Sequence, residues 1–460
     1  MASNTVFFCK ECGYESAKWL GRCPGCNNWN TFVEEKVNKK SSSKSSGGRN
    51  TTFGGSSTVK KLNDIVVTQE IRLDTGYEEL NRVFGGGIVE GSLNLIGGEP
   101  GIGKSTLIMQ VCAKLANHGK VLYISGEESE TQVKLRADRL NVKSDNILFF
   151  NETNIEVIEE KLEELAPKFC IVDSIQTMYD EQISSTPGSI SQVKEVTGRL
   201  MYQAKKQNIT TIVIGHVTKD GVIAGPRILE HMVDTVIYIE GERFLSHRIV
   251  RGVKNRFGST NEIGMFEMRN EGMVEITNPS SVLLTDREDN PAGSVIVASL
   301  EGTRPILVEL QALTSTTVFG MPRRTANGID YNRVTLLIAV LEKIGGINLG
   351  NQDVYMNIVG GIKINEPALD LGVVLSAASS FKNISIPKDV AVIGEVGLTG
   401  EIRSVNMIEK RLKEVEKMGL KKCIIPDSNK KLLKEKFKLD IIGCKDIIDA
   451  MKYLKLKWYF

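Results

Sequence analysis

The run Gly98-Glu99-Pro100-Gly101-Ile102-Gly103-Lys104-Ser105 satisfies G-x-x-x-x-G-K-[ST] without substitution, the spacing of a phosphate-binding loop. Its glycines leave backbone N–H groups free to wrap a polyphosphate, and a helix beginning at the Lys adds the partial positive charge of its N-terminus. In that chemistry Lys104 reaches the β- and γ-phosphates of ATP while Ser105 takes a place on Mg²⁺. Thr106 continues the loop into the helix and joins the nucleotide-binding candidates. Asp173 closes the apolar run Phe169-Cys170-Ile171-Val172, where a carboxylate would orient Mg²⁺ through its water shell. Hydrolysis also needs a group that positions the attacking water. Glu127 is the first choice and Glu128 the alternative, with two solvated helix-start carboxylates as the bland reading.

A second constellation opens the chain. Cys9-x2-Cys12 and Cys23-x2-Cys26, ten residues apart, form two tight pairs, each able to offer two thiolates to one tetrahedral Zn²⁺. Gly13 and Pro24-Gly25 supply the turn chemistry. So short a segment has no room for a real core, so the metal would supply most of its folding free energy. A redox pair and an iron–sulfur site are the alternatives. Cys112, Cys170, Cys423 and Cys444 lie in apolar surroundings and read as small core residues.

Two further sites carry polar groups at the ends of apolar runs. In Ile214-Gly215-His216-Val217-Thr218-Lys219, His216 either senses the γ-phosphate and signals to the following loop or is a hydrogen-bonded structural histidine. In Lys254-Asn255-Arg256-Phe257-Gly258, two cations at period two share one face of a strand end. They either complete a neighbouring subunit's active site, where charge develops on the transferring phosphoryl group, or form a solvated basic turn.

The elements that must hold these residues follow from hydrophobic periodicity. Ser92–Ile96 reads as a buried strand before the loop, and Thr106–Leu115 as the helix after it. Strand-like runs recur at Val121–Ser125, Asn146–Phe150, Phe169–Asp173, Thr211–Gly215 and Thr235–Ile239. Helical patterns fall between them; Ile155, Ile158, Leu162 and Leu165 share one face. Near-continuous apolar strands alternating with helices predict a parallel sheet covered on both sides, in which Val121–Ser125 should lie beside the loop strand. His247–Lys254 and Glu262–Met268 look like an antiparallel extension. Beyond Pro291, strands are expected at Ser294–Leu300, Pro305–Ala312 and Val354–Val359, with a helix at Val334–Glu342. No internal repeat is evident.

A chain of 460 residues exceeds one ordinary domain. We divide it into a four-cysteine zinc finger at 1–35, a flexible linker at 36–61, an ATPase domain at 62–280 and a further domain at 281–460. Between Lys36 and Lys61 stand seven Lys or Arg and no acidic residue; this stretch serves either solubility or a non-specific tether to phosphate backbone. The net charge of +2 confines any nucleic-acid surface to local patches. No apolar run is long enough to span a membrane. The first residues lack a signal peptide's pattern, so a reducing cytoplasm is the expected location, and the eight cysteines are not a disulfide set.

Taken in order, Cys9/Cys12/Cys23/Cys26, Gly98–Ser105, the pentapeptide Lys254–Gly258 and a final unit similar to the Lon protease domain resemble the bacterial RadA (Sms) family of DNA repair proteins over essentially the whole chain. The resemblance implies an α/β fold with a RecA-like P-loop core, a small N-terminal zinc ribbon and a C-terminal α+β Lon-like domain. It implies a DNA-stimulated ATPase forming a homo-hexameric ring on single-stranded and branched DNA, driving branch migration beside the RecA recombinase. It also implies that Lys254 and Arg256 act as fingers in trans. The Lon Ser–Lys dyad maps onto Asp370 and Glu409, with Lys410 available if the register slips by one. Two carboxylates offer no activatable hydroxyl, so no peptidase activity is expected, and the unit reads as a ring-assembly and DNA-binding platform. The competing readings are a non-translocating filament, a Lon-class ATP-dependent protease and a small P-loop kinase.

Overall fold

The computed structural model describes residues 4–9, 14–16, 18–25, 27–37, 70–216, 226–241, 246–260, 262–284, 291–317 and 320–456. Cys12, Cys26, most of the basic stretch and Val217, Thr218 and Lys219 lie outside the described residues. The chain divides into two compact units, Met1–Glu275 and Ile276–Phe460, the second beginning a few residues ahead of the expected position 281.

The first unit opens with an antiparallel sheet in which β1 (Asn4–Cys9) pairs with both β2 (Glu15–Ser16) and β3 (Phe32–Val37). Its apolar centre is Cys9, Cys23 and Phe32, with Phe7 and Leu20 packed against them. A centre that small needs a staple.

The larger part of this unit runs β4 (Arg72–Leu73), α1 (Glu78–Phe84), β5 (Ile88–Val89), β6 (Leu93–Gly98), α2 (Lys104–Leu115), β7 (Val121–Ser125), α3 (Glu130–Arg139), β8 (Ile147–Asn151), α4 (Ile155–Leu165) and β9 (Phe169–Asp173). It continues through α5 (Ile190–Gln207), β10 (Thr210–His216), α6 (Pro226–Met232), β11 (Thr235–Glu240), β12 (His247–Asn255), β13 (Ile263–Arg269) and β14 (Gly272–Glu275). Among the described residues β4 and β5 pair by themselves, and β6 to β14 build a nine-stranded sheet of order β14-β13-β12-β11-β6-β10-β9-β7-β8. From β11 to β8 every pair is parallel, and β12 to β14 extend the sheet antiparallel. One face is covered by α1 and α2, through residues such as Leu80, Leu107, Ile108 and Val111. The other is covered by α4 and α5, through Ile158, Leu162, Val196 and Leu200. Burying each such side chain contributes roughly 1.5–3 kcal/mol. Side chains cap some of these helices: Ser129 and Gln132 form a capping box on α3, and Ser189 accepts from the Gln192 amide on α5, bonds worth about 1 kcal/mol each.

One expectation fails here. The strand Val121–Ser125 does not lie beside the loop strand, because β10 and β9 come between β7 and β6. β7, β9 and β10 are all buried along almost their whole length, so apolar character does not rank them within the sheet; only β8, half-exposed, is marked by its burial as the edge strand.

The second unit carries α7 (Pro279–Leu283), β15 (Ser294–Glu301), β16 (Arg304–Thr316), β17 (Arg324–Asn327), α8 (Tyr331–Val340), β18 (Gln352–Ile358), α9 (Asp370–Lys382) and β19 (Val390–Val392). A small hairpin of β20 (Glu395–Val396) and β21 (Ile402–Arg403) follows, then α10 (Ile408–Lys417), β22 (Lys422–Pro426), α11 (Asp427–Lys431), β23 (Asp440–Cys444) and α12 (Ile447–Tyr453). Its mixed sheet has the order β17-β18-β16-β15-β19-β22-β23. The expected helix at Val334–Glu342 starts a few residues earlier, on the cap supplied by Asp330. A π-turn at Leu341–Gly345 extends it. Among the described residues no helix is long and apolar enough to cross a membrane.

Candidate nucleotide-binding site

The parallel register brings the carboxyl ends of four strands together: Gly98 pairs with His216, and Asp173 with both Ile214 and Ser125. Open α/β sheets bind ligands at that edge. Gly101 (φ 80°) and Gly103 (φ 114°) turn the loop from β6 into α2 through left-handed backbone, conformations that side chains with a Cβ resist. A Cβ placed on Gly101 would meet nothing within 4 Å, so this bend faces open space. Lys104 folds back into the loop, its Nζ donating to the carbonyls of Gly98 at 2.8 Å and Glu99 at 2.9 Å. Burial pushes its ammonium down to about 8, against the upward pull of Asp173 and Glu127. Ser105 and Thr106 open α2, half-buried, and Ile102 is buried beneath the loop.

Asp173 is buried at the tip of β9 and accepts from the Tyr123 hydroxyl at 2.7 Å. Two residues past the tip of β7, Glu127 accepts from the Ser174 hydroxyl. Its carboxylate oxygens lie 3.0 and 3.2 Å from His216 Nε2. The His216 contact, despite burial, holds the Glu127 carboxyl below its ordinary range, helped by Ser174 and Lys104. Glu128 is turned elsewhere: its carboxylate pairs with Arg136 on α3, and its amide and carbonyl bond Ser125 Oγ. The two neighbouring carboxylates therefore have different partners, and the one facing Lys104 and Asp173 is Glu127. Among the described residues the buried His216 Nδ1 has no hydrogen-bond partner, which a histidine serving packing alone would not leave.

The donor set fits ATP with Mg²⁺: a loop of backbone amides, an ammonium at the N-terminus of α2, a hydroxyl at Ser105 and a carboxylate at Asp173. Sequence reasoning missed Tyr123, Ser174 and Arg248. Arg248 is buried at the start of β12 and donates through Nε to the carbonyl of Ile102 at 3.1 Å, bracing the loop from below.

Lys254 and Arg256 stand elsewhere. Lys254 Nζ donates to the carbonyls of Glu230 at 2.6 Å, His231 at 3.3 Å and Val233 at 2.8 Å, where the end of α6 presents unpaired carbonyls to a cation. Arg256 Nη1 donates to Asp234 Oδ1 at 3.1 Å. The structure thus brings the two cations to one face, as their spacing predicts. They do not reach this chain's own phosphate loop. Asn255 is level with Thr235 and thereby with Asn94, which sets Arg256 beside the start of β6, about 16 Å along the strand from Gly98. A β-bulge between Val236 and Ile237 leaves Val253 as the extra residue on β12, just ahead of Lys254.

In the N-terminal sheet Cys9 and Cys23 are buried. The Gly25 amide donates to Cys23 Sγ at 3.3 Å, and Cys9 Sγ lies 3.2 Å from Thr31 Oγ1. An amide aimed at sulfur fits a zinc ligand. Cys112, Cys170, Cys423 and Cys444 are buried, and burial raises each thiol, Cys170 and Cys444 to about 12; they are inert core residues.

In the second unit the positions matched to the Lon dyad are engaged otherwise. Asp370 is buried at the start of α9, paired with Arg333 and accepting from the Val396 amide at 3.0 Å. Glu409 accepts from the amides of Lys434 and Glu435. Lys410 is exposed. Ser376 is buried within α9 and bonds the carbonyl of Val373. Close by in sequence, Arg411 is buried against Glu366 and donates to Ala298 O at 2.8 Å.

Comparison with known proteins adds three family matches: residues 7–34 match a rubredoxin metal binding domain, residues 57–222 an AAA domain and residues 308–429 the subunit ChlI of Mg-chelatase. Among curated proteins the chain is similar to a DNA repair protein RadA of Halalkalibacterium halodurans, 53% identical over 450 residues. Similar proteins of the same description occur in Bacillus subtilis, 52% identical over 454 residues, and Listeria monocytogenes, 52% identical over 451 residues. In all three, the match covers 98% of both chains.

Proposed function

Because this chain belongs to the RadA family of bacterial DNA repair proteins, we propose that it is a DNA-stimulated ATP-hydrolysing motor that drives branch migration of strand-exchange intermediates. The observation that carries this reading is the position of Lys254 and Arg256. Two cations built into one strand end, about 16 Å along the sheet from their own phosphate loop, can serve phosphoryl transfer only in another subunit's site. A homo-hexameric ring supplies that neighbour.

Within one site the roles divide by position. Lys104 exchanges the carbonyls of Gly98 and Glu99 for phosphate oxygens. Ser105 and Asp173 hold Mg²⁺, which when bound neutralises charge developing on the β- and γ-oxygens. Tyr123 keeps the Asp173 carboxylate oriented, and Glu127 positions the attacking water, itself aimed by Ser174 and His216. His216 ends β10, so nucleotide state at Glu127 is passed through it to the loop that follows. The zinc module, held by Cys9, Cys12, Cys23 and Cys26, contacts the RecA recombinase and assists loading onto single-stranded and branched DNA in the cytoplasm. Against a protease stands the residue type at that position: Asp370, a carboxylate paired with Arg333, offers no hydroxyl to activate.

ATP turnover with and without single-stranded DNA, for wild type, Lys104→Ala and Lys254→Ala, tests the reading. Stimulation by DNA that both substitutions abolish is the expected result, followed by branch migration of synthetic junctions. Turnover indifferent to DNA would sink it. Loss of zinc through Cys23→Ser with Cys26→Ser should weaken recombinase or DNA binding; retention of both removes the role given to the module.

A further inference from the structure

Asp234 sits in the turn between α6 and β11, and its side chain is 6% exposed. Its two oxygens do different things. Oδ2 accepts from the Leu93 amide at 3.0 Å and from Lys205 Nζ at 2.9 Å, tying the turn to the first residue of β6. Oδ1 accepts from Arg256 Nη1 at 3.1 Å, and the Asp234 carbonyl accepts the Arg256 amide at 3.1 Å. Arg256 is therefore held by Asp234 at both backbone and guanidinium, with a longer second guanidinium bond from Nη2 to the His231 carbonyl at 3.4 Å. Burial would raise the Asp234 carboxyl, but the Leu93 amide, Lys205 and Arg256 outweigh it and keep the group below its ordinary range, so it is ionised.

The Arg256 side chain is 51% exposed. An ion pair with so exposed a partner adds little stability, so this bond sets direction rather than holding the fold. It fixes which way the guanidinium leaves the strand end, and the anchor that fixes it is the root of the strand leading to the phosphate loop. We propose that Asp234 is a positioning residue for Arg256, aiming that cation at the nucleotide of the adjacent subunit and tying its aim to β6. The proposal rests on the reading of Lys254 and Arg256 as fingers acting in trans.

Mixed rings of full-length protein test it. Subunits carrying Lys104→Ala are used in excess over wild type, so that turnover comes from wild-type sites flanked by subunits whose own loop is disabled. The reference is the ring doped with Lys104→Ala alone, which makes any cost of a disabled loop common to every arm. Three further arms dope with Lys104→Ala combined with Arg256→Ala, Asp234→Asn or Asp234→Glu, with ring assembly followed by particle mass. Arg256→Ala and Asp234→Asn are each expected to lower kcat per wild-type site by at least about tenfold, at unchanged KM, because misplacing a reacting group by an ångström costs up to about a hundredfold. Asp234→Glu keeps the charge but displaces it by a methylene, and should give a smaller loss of kcat; it carries the test if the Asn form fails to assemble. If Arg256→Ala lowers turnover while both Asp234 variants assemble and match the reference, Asp234 serves only its own fold and the inference fails, while the trans reading survives. If Arg256→Ala also matches the reference, the trans reading fails and this inference with it.

Discussion

Raising the pH from 7 to 9 should weaken ATP binding through Lys104. Burial sets this ammonium at about 8 in the nucleotide-free protein. By the titration equation about nine in ten molecules then carry the charge at pH 7 and about one in ten at pH 9. The phosphates replace the hydration that burial removed, so the bound state favours the charged form. Binding above pH 8 must therefore take up a proton, and the dissociation constant should rise by about tenfold at pH 9, a loss of about 1.4 kcal/mol. The last phosphate proton leaves with a pKa of about 6, so the phosphates contribute little between pH 7 and 9. Titration of a fluorescent ATP analogue at pH 7, 8 and 9 reads the affinity, and calorimetry in two buffers of different ionisation enthalpy reads the proton directly. Lys104→Arg, whose guanidinium stays charged, should show a flat profile at whatever affinity it retains. Without nucleotide the sign reverses. A lysine depressed by folding leaves the unfolded chain holding more protons, so stability rises as pH climbs from about 8 toward the ordinary lysine value, a slope that Lys104→Met should remove. A dissociation constant in wild type that is level from pH 7 to 9, or an equal slope in Lys104→Arg, would refute the reasoning.

Tyr123→Phe removes the only donor described for Asp173 Oδ2 and should raise the Mg²⁺ concentration for half-maximal turnover several-fold, since a buried acceptor left unpaired costs about 1–3 kcal/mol; an unchanged Mg²⁺ titration contradicts it. Asp370→Ser should confer no casein degradation and should lower the thermal stability of the second unit by about 1–3 kcal/mol, because Arg333 and the Val396 amide lose their acceptor; proteolysis of casein would reverse that view. Arg411→Met leaves the Glu366 carboxylate without its cation, though Ser299 and the Leu300 amide still donate to it, and should cost about 3–5 kcal/mol in denaturant unfolding, with part regained on adding Glu366→Gln. Cys23→Ser should bring bound zinc, measured by elemental analysis, close to zero and unfold the N-terminal sheet.

How much could be read in advance depended on how local each feature is. The phosphate loop and the strands around it were legible because glycine, lysine and apolar period act over a few residues. The basic pair at 254 and 256 was visible for the same reason. Glu127 and Glu128 were not separable, since what distinguishes them is Arg136 on the next helix and His216 at a strand tip far along the chain. The place of β7 in the sheet was misjudged because β7, β9 and β10 are alike in being apolar and buried, and their order is a property of the assembled sheet that no local pattern ranks. Asp234 passed unnoticed as an acidic turn residue; its meaning lies in the Leu93 amide and in Arg256, neither of which stands near it in sequence.

The extra residue in β12 changes the parity of the strand. Before it, the even positions Arg248, Val250 and Gly252 are buried; after it, the odd position Asn255 is, bonding the carbonyl of Phe84 at the end of α1. Arg248, Lys254 and Arg256 are all even and would line up on one side of an unbroken ribbon. With Val253 inserted, the first turns toward the loop of its own chain and the other two turn toward α6. One strand is thereby shared between two clients, and a one-residue deletion would hand all three cations to the same one.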